Sequence, residues 1–170
     1  MAIVQADSEC MEFLQYNSEA MQYMDKKYRY IKRNITAIKS NVWTTQASEF
    51  YFIDSNWNKK SFSWCTITAQ YAGNNNEWIE KLIDWNTSTK YCTWHNPSLR
   101  ILFDFGSEWI SVKKFSRYQR YTANDEPDRD PKTWTIQGSN DNVNYDTLST
   151  VSTNVTSTRY ALAGTRDLTY

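Results

Sequence analysis

The segment NDEPDRD at 124–130 sets Asp125, Glu126, Asp128 and Asp130 close together along the chain. A pair of carboxylates, one ionised and one protonated, is the minimum equipment for general acid–base catalysis. A polar loop gathers such residues for a simpler reason, because water solvates them there. No Ser-His-Asp order or nucleophile elbow accompanies them, and four glycines are too few for a phosphate cradle. The chain therefore reads as non-enzymatic. Soft-ligand metal chemistry has equally little to work with: Cys10, Cys65 and Cys92 form no CxxC pair and His95 is the single histidine. Zinc lacks ligands, and the thiols are expected to be free.

Binding chemistry is better supplied. Eight Trp and twelve Tyr exceed what the core of a 170-residue chain usually needs, and aromatic faces are what sugar rings and protein partners stack on. Most of them are nonetheless expected in the core. Nineteen basic side chains balance nineteen acidic ones, so no overall field draws the chain to nucleic acid or to an anionic membrane. No apolar run approaches membrane-spanning length and no charged-then-apolar leader opens the chain. The expectation is a protein made in the cytoplasm without a signal peptide and without membrane insertion.

The elements that must position these groups follow from periodicity. Residues 1–27 contain no Gly or Pro and space Ile3, Cys10, Leu14, Met21 and Met24 at three- and four-residue steps, with Asp7 and Asn17 completing the series. That predicts an N-terminal α-helical arm. It reads either as a single amphipathic helix lying on the domain or as a short self-associating coil with Asn17 setting register. From Tyr28 the chain turns rich in β-branched and aromatic residues: YRYIKRNITAIKS, ASEFYFID, KSFSWCTITAQYA, LRILFDFG, EWISVKKFSRYQRYTA, KTWTIQGS, YDTLSTVS and TRYALAG, separated by polar clusters. Only NNNEWIEKLID offers a helical turn, with Asn76 as its expected cap. Ile110, Val112 and Phe115 fit one strand only with a bulge after Val112. About eight short strands with scarcely any helix predict an all-β sandwich or barrel over 28–170.

Three stretches then become specific in their order. LIDWNTSTKYCTW (82–94) is followed by an apolar strand ending in Asp-Phe-Gly (104–106) and by DPKTWTIQGSND (130–141). This order resembles the discoidin, or coagulation-factor C-type, domain, over about residues 28–163. The resemblance implies a galactose-binding-like jelly-roll β-sandwich. It places Pro131 at a strand start, Trp134 and Ile136 toward the core, and Gly138–Asp141 in a turn leading to Tyr145. Arg129 and Asp130 then read as braces of their loop through charge-assisted hydrogen bonds.

The resemblance also implies sites. One structural calcium would be held by Asp84, Asn86 and Thr89 of the DWNTST loop and by Glu49, all hard oxygen donors. The family usually has Gly where this sequence has Trp85, and the alternative is an ion-free Asx turn capped by Glu49. For sugar binding, the loop residues of suitable type are Tyr121, Asn124, Asp125, Arg129, Trp94 and His95, with Trp43 and Trp57 as outlying aromatics. Trp94 reads either as a stacking platform or as a core residue. The function implied is a non-catalytic carbohydrate- or glycoconjugate-binding module. Its expected setting is the surface of a larger assembly, a phage virion in which residues 1–27 dock to other virion proteins and the chain is a homo-oligomer. A purely structural virion protein or a protein-interaction module without glycan binding is the alternative.

Overall fold

The structure is a computed structural model that describes residues 25–40, 42–94, 98–153 and 156–169. The helical arm expected over 1–27 therefore falls outside the described residues as far as residue 24. Twelve strands are present: β1 (Lys27–Tyr28), β2 (Tyr30–Ile38), β3 (Thr45–Ala47), β4 (Phe50–Ile53), β5 (Thr66–Ala69), β6 (Tyr91–Thr93), β7 (Leu99–Asp104), β8 (Ile110–Ser111), β9 (Arg117–Tyr121), β10 (Pro131–Ser139), β11 (Asp146–Ser152) and β12 (Leu162–Asp167). The only helices among the described residues are three short 3-10 turns, at Ile79–Leu82, Gly106–Glu108 and Pro127–Arg129. The chain is all-β.

Alternation builds the two main sheets. In β2, Ile31, Arg33 and Ile35 are buried while Lys32, Asn34 and Thr36 point away. In β7, Leu99, Ile101 and Phe103 do the same, as do Trp134 and Ile136 in β10. These strands form the centre of a five-stranded antiparallel sheet ordered β11-β10-β2-β7-β5. A three-stranded sheet, β12-β9-β4, faces it. Contact between the two layers is direct: the Phe50 ring of β4 stacks on Phe103 of β7 at 5.5 Å, and the Trp134 Nε1–H of β10 donates to the Tyr118 hydroxyl of β9 at 2.9 Å. Phe50, Phe52, Phe62, Phe103 and Phe105 pack as one aromatic cluster between the sheets. Two short ladders, β1-β8 and β3-β6, close the ends.

Several expectations are revised. The run Glu108–Ala123 is not one bulged strand: Phe115 N–H donates to the Ser111 carbonyl at 2.8 Å, so a turn separates β8 from β9 while Ile110, Val112 and Phe115 all stay buried. Asn76 is no helix cap. It takes a left-handed φ of 61°, and the 3-10 turn starts after Trp78. The larger correction concerns tryptophan. Of the eight, Trp134 is buried, whereas Trp43, Trp57, Trp64, Trp78, Trp85, Trp94 and Trp109 are exposed. Phenylalanine and tyrosine fill the core, and tryptophan decorates the loops. Among the described residues no helix is long and apolar enough to cross a membrane.

Candidate functional site

The β3-β6 ladder pairs Thr45 with Thr93 and Ala47 with Tyr91, and it draws three loops together: 42–44, 73–78 and 123–130. Gly73 permits the closest approach. A Cβ there would sit 2.3 Å from the Glu77 carbonyl oxygen, so only glycine lets the chain cross over itself. Lys90 precedes β6 with its side chain buried, and its ammonium bridges the carboxylates of Glu77, at 3.3 Å, and Asp125. That links the 73–78 loop to the 123–130 loop.

The 123–130 loop is fastened from beneath. Buried Gln46 donates through Nε2 to the carbonyls of Asp125 and Glu126 and to Asp130 Oδ1, each at 2.9 Å. Asp130, also buried, accepts from Arg159 Nη2 at 2.7 Å, and Arg159 Nη1 reaches the Asp125 carbonyl at 2.8 Å. Asp130 therefore braces the loop, with Arg159 and Gln46 as its partners. Glu126 takes a left-handed φ of 31° before the Pro127–Arg129 turn. Asp128 accepts from the Ser40 hydroxyl. The carboxylates of Asp125, Asp128 and Asp130 thus go separately to Lys90, Ser40 and Arg159.

These constraints leave a cleft of about 600 Å3 lined by Thr44, Gly73, Asn74, Asn75, Glu77, Trp94 and Arg129. Trp94 is 69% exposed, which removes its reading as a core residue. An open indole beside two carboxamides, a carboxylate and a guanidinium can stack an apolar ring face while bonding hydroxyls around it. Of the residues expected to bind sugar, Trp94 and Arg129 line this cleft, and Asp125 is joined to its wall through Lys90. Asn124 instead donates to the Ser88 carbonyl at 3.0 Å, and Tyr121 packs edge-on to Tyr51 at 5.9 Å. His95 lies outside the described residues. Asn74, Asn75 and Glu77 were missed by sequence reasoning, because the Asn run reads as plain turn chemistry.

Asn124 and Tyr121 belong to a neighbouring cluster at Glu49 and Asp84. Glu49 is fully buried. It accepts from the Tyr51 hydroxyl, from Trp85 N–H at 3.2 Å and from Asn86 N–H at 3.3 Å. Asp84 accepts from Asn86 N–H at 3.1 Å and from the Thr89 hydroxyl at 2.9 and 2.8 Å, with the Lys81 ammonium at 3.3 Å. Burial, reinforced by the nearby Asp84 charge, pushes the Glu49 carboxyl up to about 7 against the pull of Tyr51 and Asn86. Burial acts to raise Asp84 as well, but hydrogen bonding with Glu49, Thr89, Lys81 and Asn86 outweighs it and holds Asp84 below its usual value. The two acids are thus driven apart, Glu49 toward its protonated form and Asp84 toward its charged form.

The residues expected to hold calcium therefore do converge. Their chemistry fits the ion: two carboxylates pressed together with one lysine beside them, and the neutral oxygens of Asn86 and Thr89 in the same turn. Among the described residues no cluster of three or more acidic, histidine or cysteine side chains forms, so such a shell would depend on those neutral oxygens. Trp85 takes a left-handed φ of 65°, as its place in the loop demands. Its ring packs on Tyr51 at 4.8 Å, and the Lys59 ammonium sits 3.7 Å from the Tyr51 ring centre and 5.0 Å from that of Trp85. Packing thus holds a conformation that glycine would adopt freely.

Comparison with family models, with curated proteins and with solved structures finds no match to this chain.

Proposed function

We propose that this chain is a discoidin-like, non-catalytic module that binds carbohydrate or a glycoconjugate in the cleft under Trp94. The observation that carries the reading is the exposed Trp94 indole facing Asn74, Asn75, Glu77 and Arg129 in one cleft. The Lys90 and Gln46 bonds fix the surrounding loops before ligand arrives, which lowers the ordering cost of binding. Glu49 and Asp84 hold a structural calcium that pins the 84–89 loop, with Asn86 and Thr89 contributing neutral oxygens. Residues 1–27 attach the module to a larger assembly, a virion surface, where many copies multiply a weak single-site affinity. Support for the family comes from the motif order at 82–94 and 99–141 and from the antiparallel all-β layers that carry those motifs.

The test is binding of the full chain to a broad array of neutral glycans in calcium. Hits confined to related sugars, lost on Trp94→Ala and on Arg129→Ala but kept on Trp64→Ala, are the expected result. No hit from folded protein overturns the reading. One observation favours a second reading, that of a structural virion protein binding other proteins: Trp57, Trp64 and Trp109 are exposed yet absent from the lining of the cleft. Large aromatics spread over several loops are what protein contacts use.

A further inference from the structure

The outer surface of the five-stranded sheet is made by the residues that alternate with the core. Register aligns Thr150, Thr135, Asn34 and Arg100 in one row across four strands. Gln137, Lys32, Leu102 and Thr68 form the next row. Two shallow hollows, of about 330 and 300 Å3, lie along these rows and share Gln70 and Arg100, so they form one groove. Hydroxyls and carboxamides dominate its lining, and no carboxylate is among them.

Lys32 and Arg100 supply the charge. Among the described residues neither meets a carboxylate at ion-pair distance, although the chain as a whole is neutral. Asp104 at the end of β7 is the nearest acid along that strand, and Arg29 already neutralises it with two hydrogen bonds of 2.8 and 3.0 Å. The Lys32 ammonium rests 3.3 Å from the centre of the Tyr145 ring, an aromatic contact in place of an ion pair. Burial and then the Arg100 charge lower the affinity of Lys32 for its proton, as expected of two cations with no anion between them. Gln70 Oε1 accepts from Arg100 Nε at 3.3 Å, and Asn34 donates to Gln137 Oε1 at 2.7 Å. The row is thus pre-ordered without being charge-compensated.

We propose that this groove is a second binding site, for an anionic polysaccharide whose carboxylate or sulfate groups are taken by Lys32 and Arg100. Charge complementarity selects the anion. The run of hydroxyl and amide side chains matches a chain of sugar hydroxyls, and the apolar area among them suits the CH faces of sugar rings. The site extends the carbohydrate reading to another face and does not depend on the Trp94 cleft.

The experiment titrates the full chain with alginate oligosaccharides, sulfated dextran oligosaccharides and neutral dextran, at low and at physiological salt. Anionic oligosaccharides are expected to bind, neutral dextran is not, and the affinity falls with salt as screened charges require. The two anionic probes separate a preference for carboxylate from one for sulfate. Combined Lys32→Gln and Arg100→Gln substitution, at a half-buried and an exposed position on the outer face of the sheet, away from the core, lowers affinity by more than about tenfold, since two charge-assisted contacts are lost. Arg100→Lys retains part of it, and Trp94→Ala leaves it unchanged. Absence of binding by either anionic probe, or affinity unchanged in the double variant, overturns the proposal. So does tighter binding of poly-glutamate or of an oligonucleotide than of any anionic oligosaccharide. The neutral-glycan array reads the Trp94 cleft separately, so either site can fail alone.

Discussion

Two places in this fold set side chains of like charge against each other, and they solve the problem in opposite ways. At the loop end, Glu49 and Asp84 are surrounded by donors: a tyrosine hydroxyl, a threonine hydroxyl, two backbone N–H groups and a lysine. Between the sheets, Arg33 and Arg120 are buried, and among the described residues no carboxylate is bonded to either. They are held by rings: the two guanidinium carbons lie 5.5 and 4.5 Å from the Trp134 ring centre, and Arg33 also lies 5.3 Å from Phe50. Among the described residues Arg33 Nε and Nη1 and Arg120 Nη2 find no hydrogen-bond partner. The carboxylates can relieve their repulsion by keeping a proton or taking a cation. The guanidiniums cannot, because burial lowers Arg33 only to about 9 and Arg120 only to about 10, so both stay charged at neutral pH. A titratable pair suits a ligand-responsive loop, whereas a fixed pair suits a permanent core.

The contrast breaks most visibly at Trp134. Trp134→Ala removes the largest fully buried side chain, costs about 3–5 kcal/mol as a large-to-small core change, and leaves two guanidiniums without their ring. Chemical denaturation should show a loss at the upper end of that range or beyond it. A loss under about 1 kcal/mol would mean that the ring does not hold the arginines.

The carboxylate pair gives the next effect, through pH. Glu49 binds its proton more tightly folded, at about 7, than at its ordinary value of 4.5. Between those values the native state holds the proton and the unfolded chain does not. Its contribution is therefore full below about 4.5 and is lost as pH rises through about 7, at up to about 1.4 kcal/mol per pH unit. In chelator, Tm should fall across that window, and Glu49→Gln, which keeps a hydrogen-bond donor toward Asp84 without a titrating proton, should flatten the fall. Calcium added at pH 7.5 should restore Tm in the native sequence and not in Asp84→Asn. A wild-type transition identical in excess calcium and excess chelator would show that the pair is content with its proton.

How far the sequence anticipates this architecture depends on which rule a residue obeys. Alternation in YIKRNITAI, LRILFD and KTWTIQG announces β2, β7 and β10, and it places Arg33 between Ile31 and Ile35 on the core side. The usual exposure of arginine hides that signal. Short β3 and β6 carry no such pattern, so the convergence of Asn74, Glu77, Lys90 and Trp94 around them is invisible along the chain. Glu49 and Asp84 are paired only through the resemblance, since 34 residues of sequence lie between two acids that nothing local connects. Tryptophan misleads for a different reason. Trp134 sits inside an alternating run, while Trp57, Trp78, Trp85 and Trp94 sit in SNWNK, NEWIE, DWNTS and TWHN, beside turn-forming residues. Hydrophobicity alone assigns all of them to the core, and local turn chemistry separates them.

The smallest effect sharpens the comparison furthest. Arg33→Met keeps a flexible, unbranched apolar stem, gives up the guanidinium contacts with Phe50 and Trp134, and removes a buried charge with two unpartnered nitrogens. Burying a charge costs several kcal/mol before compensation, and the two ring contacts return about 1–2 kcal/mol each at most. Stability should therefore stay within about 1 kcal/mol of the native value or rise above it, as it does when other buried charges are replaced by well-packed apolar groups. Arg33→Lys should be the worse change, because the compact, strongly hydrated ammonium forfeits the planar stacking and keeps the desolvation cost. If instead Met proves destabilising and Lys is tolerated, the guanidinium is satisfied by something other than rings, and the distinction between a titratable loop pair and a ring-held core pair falls with it.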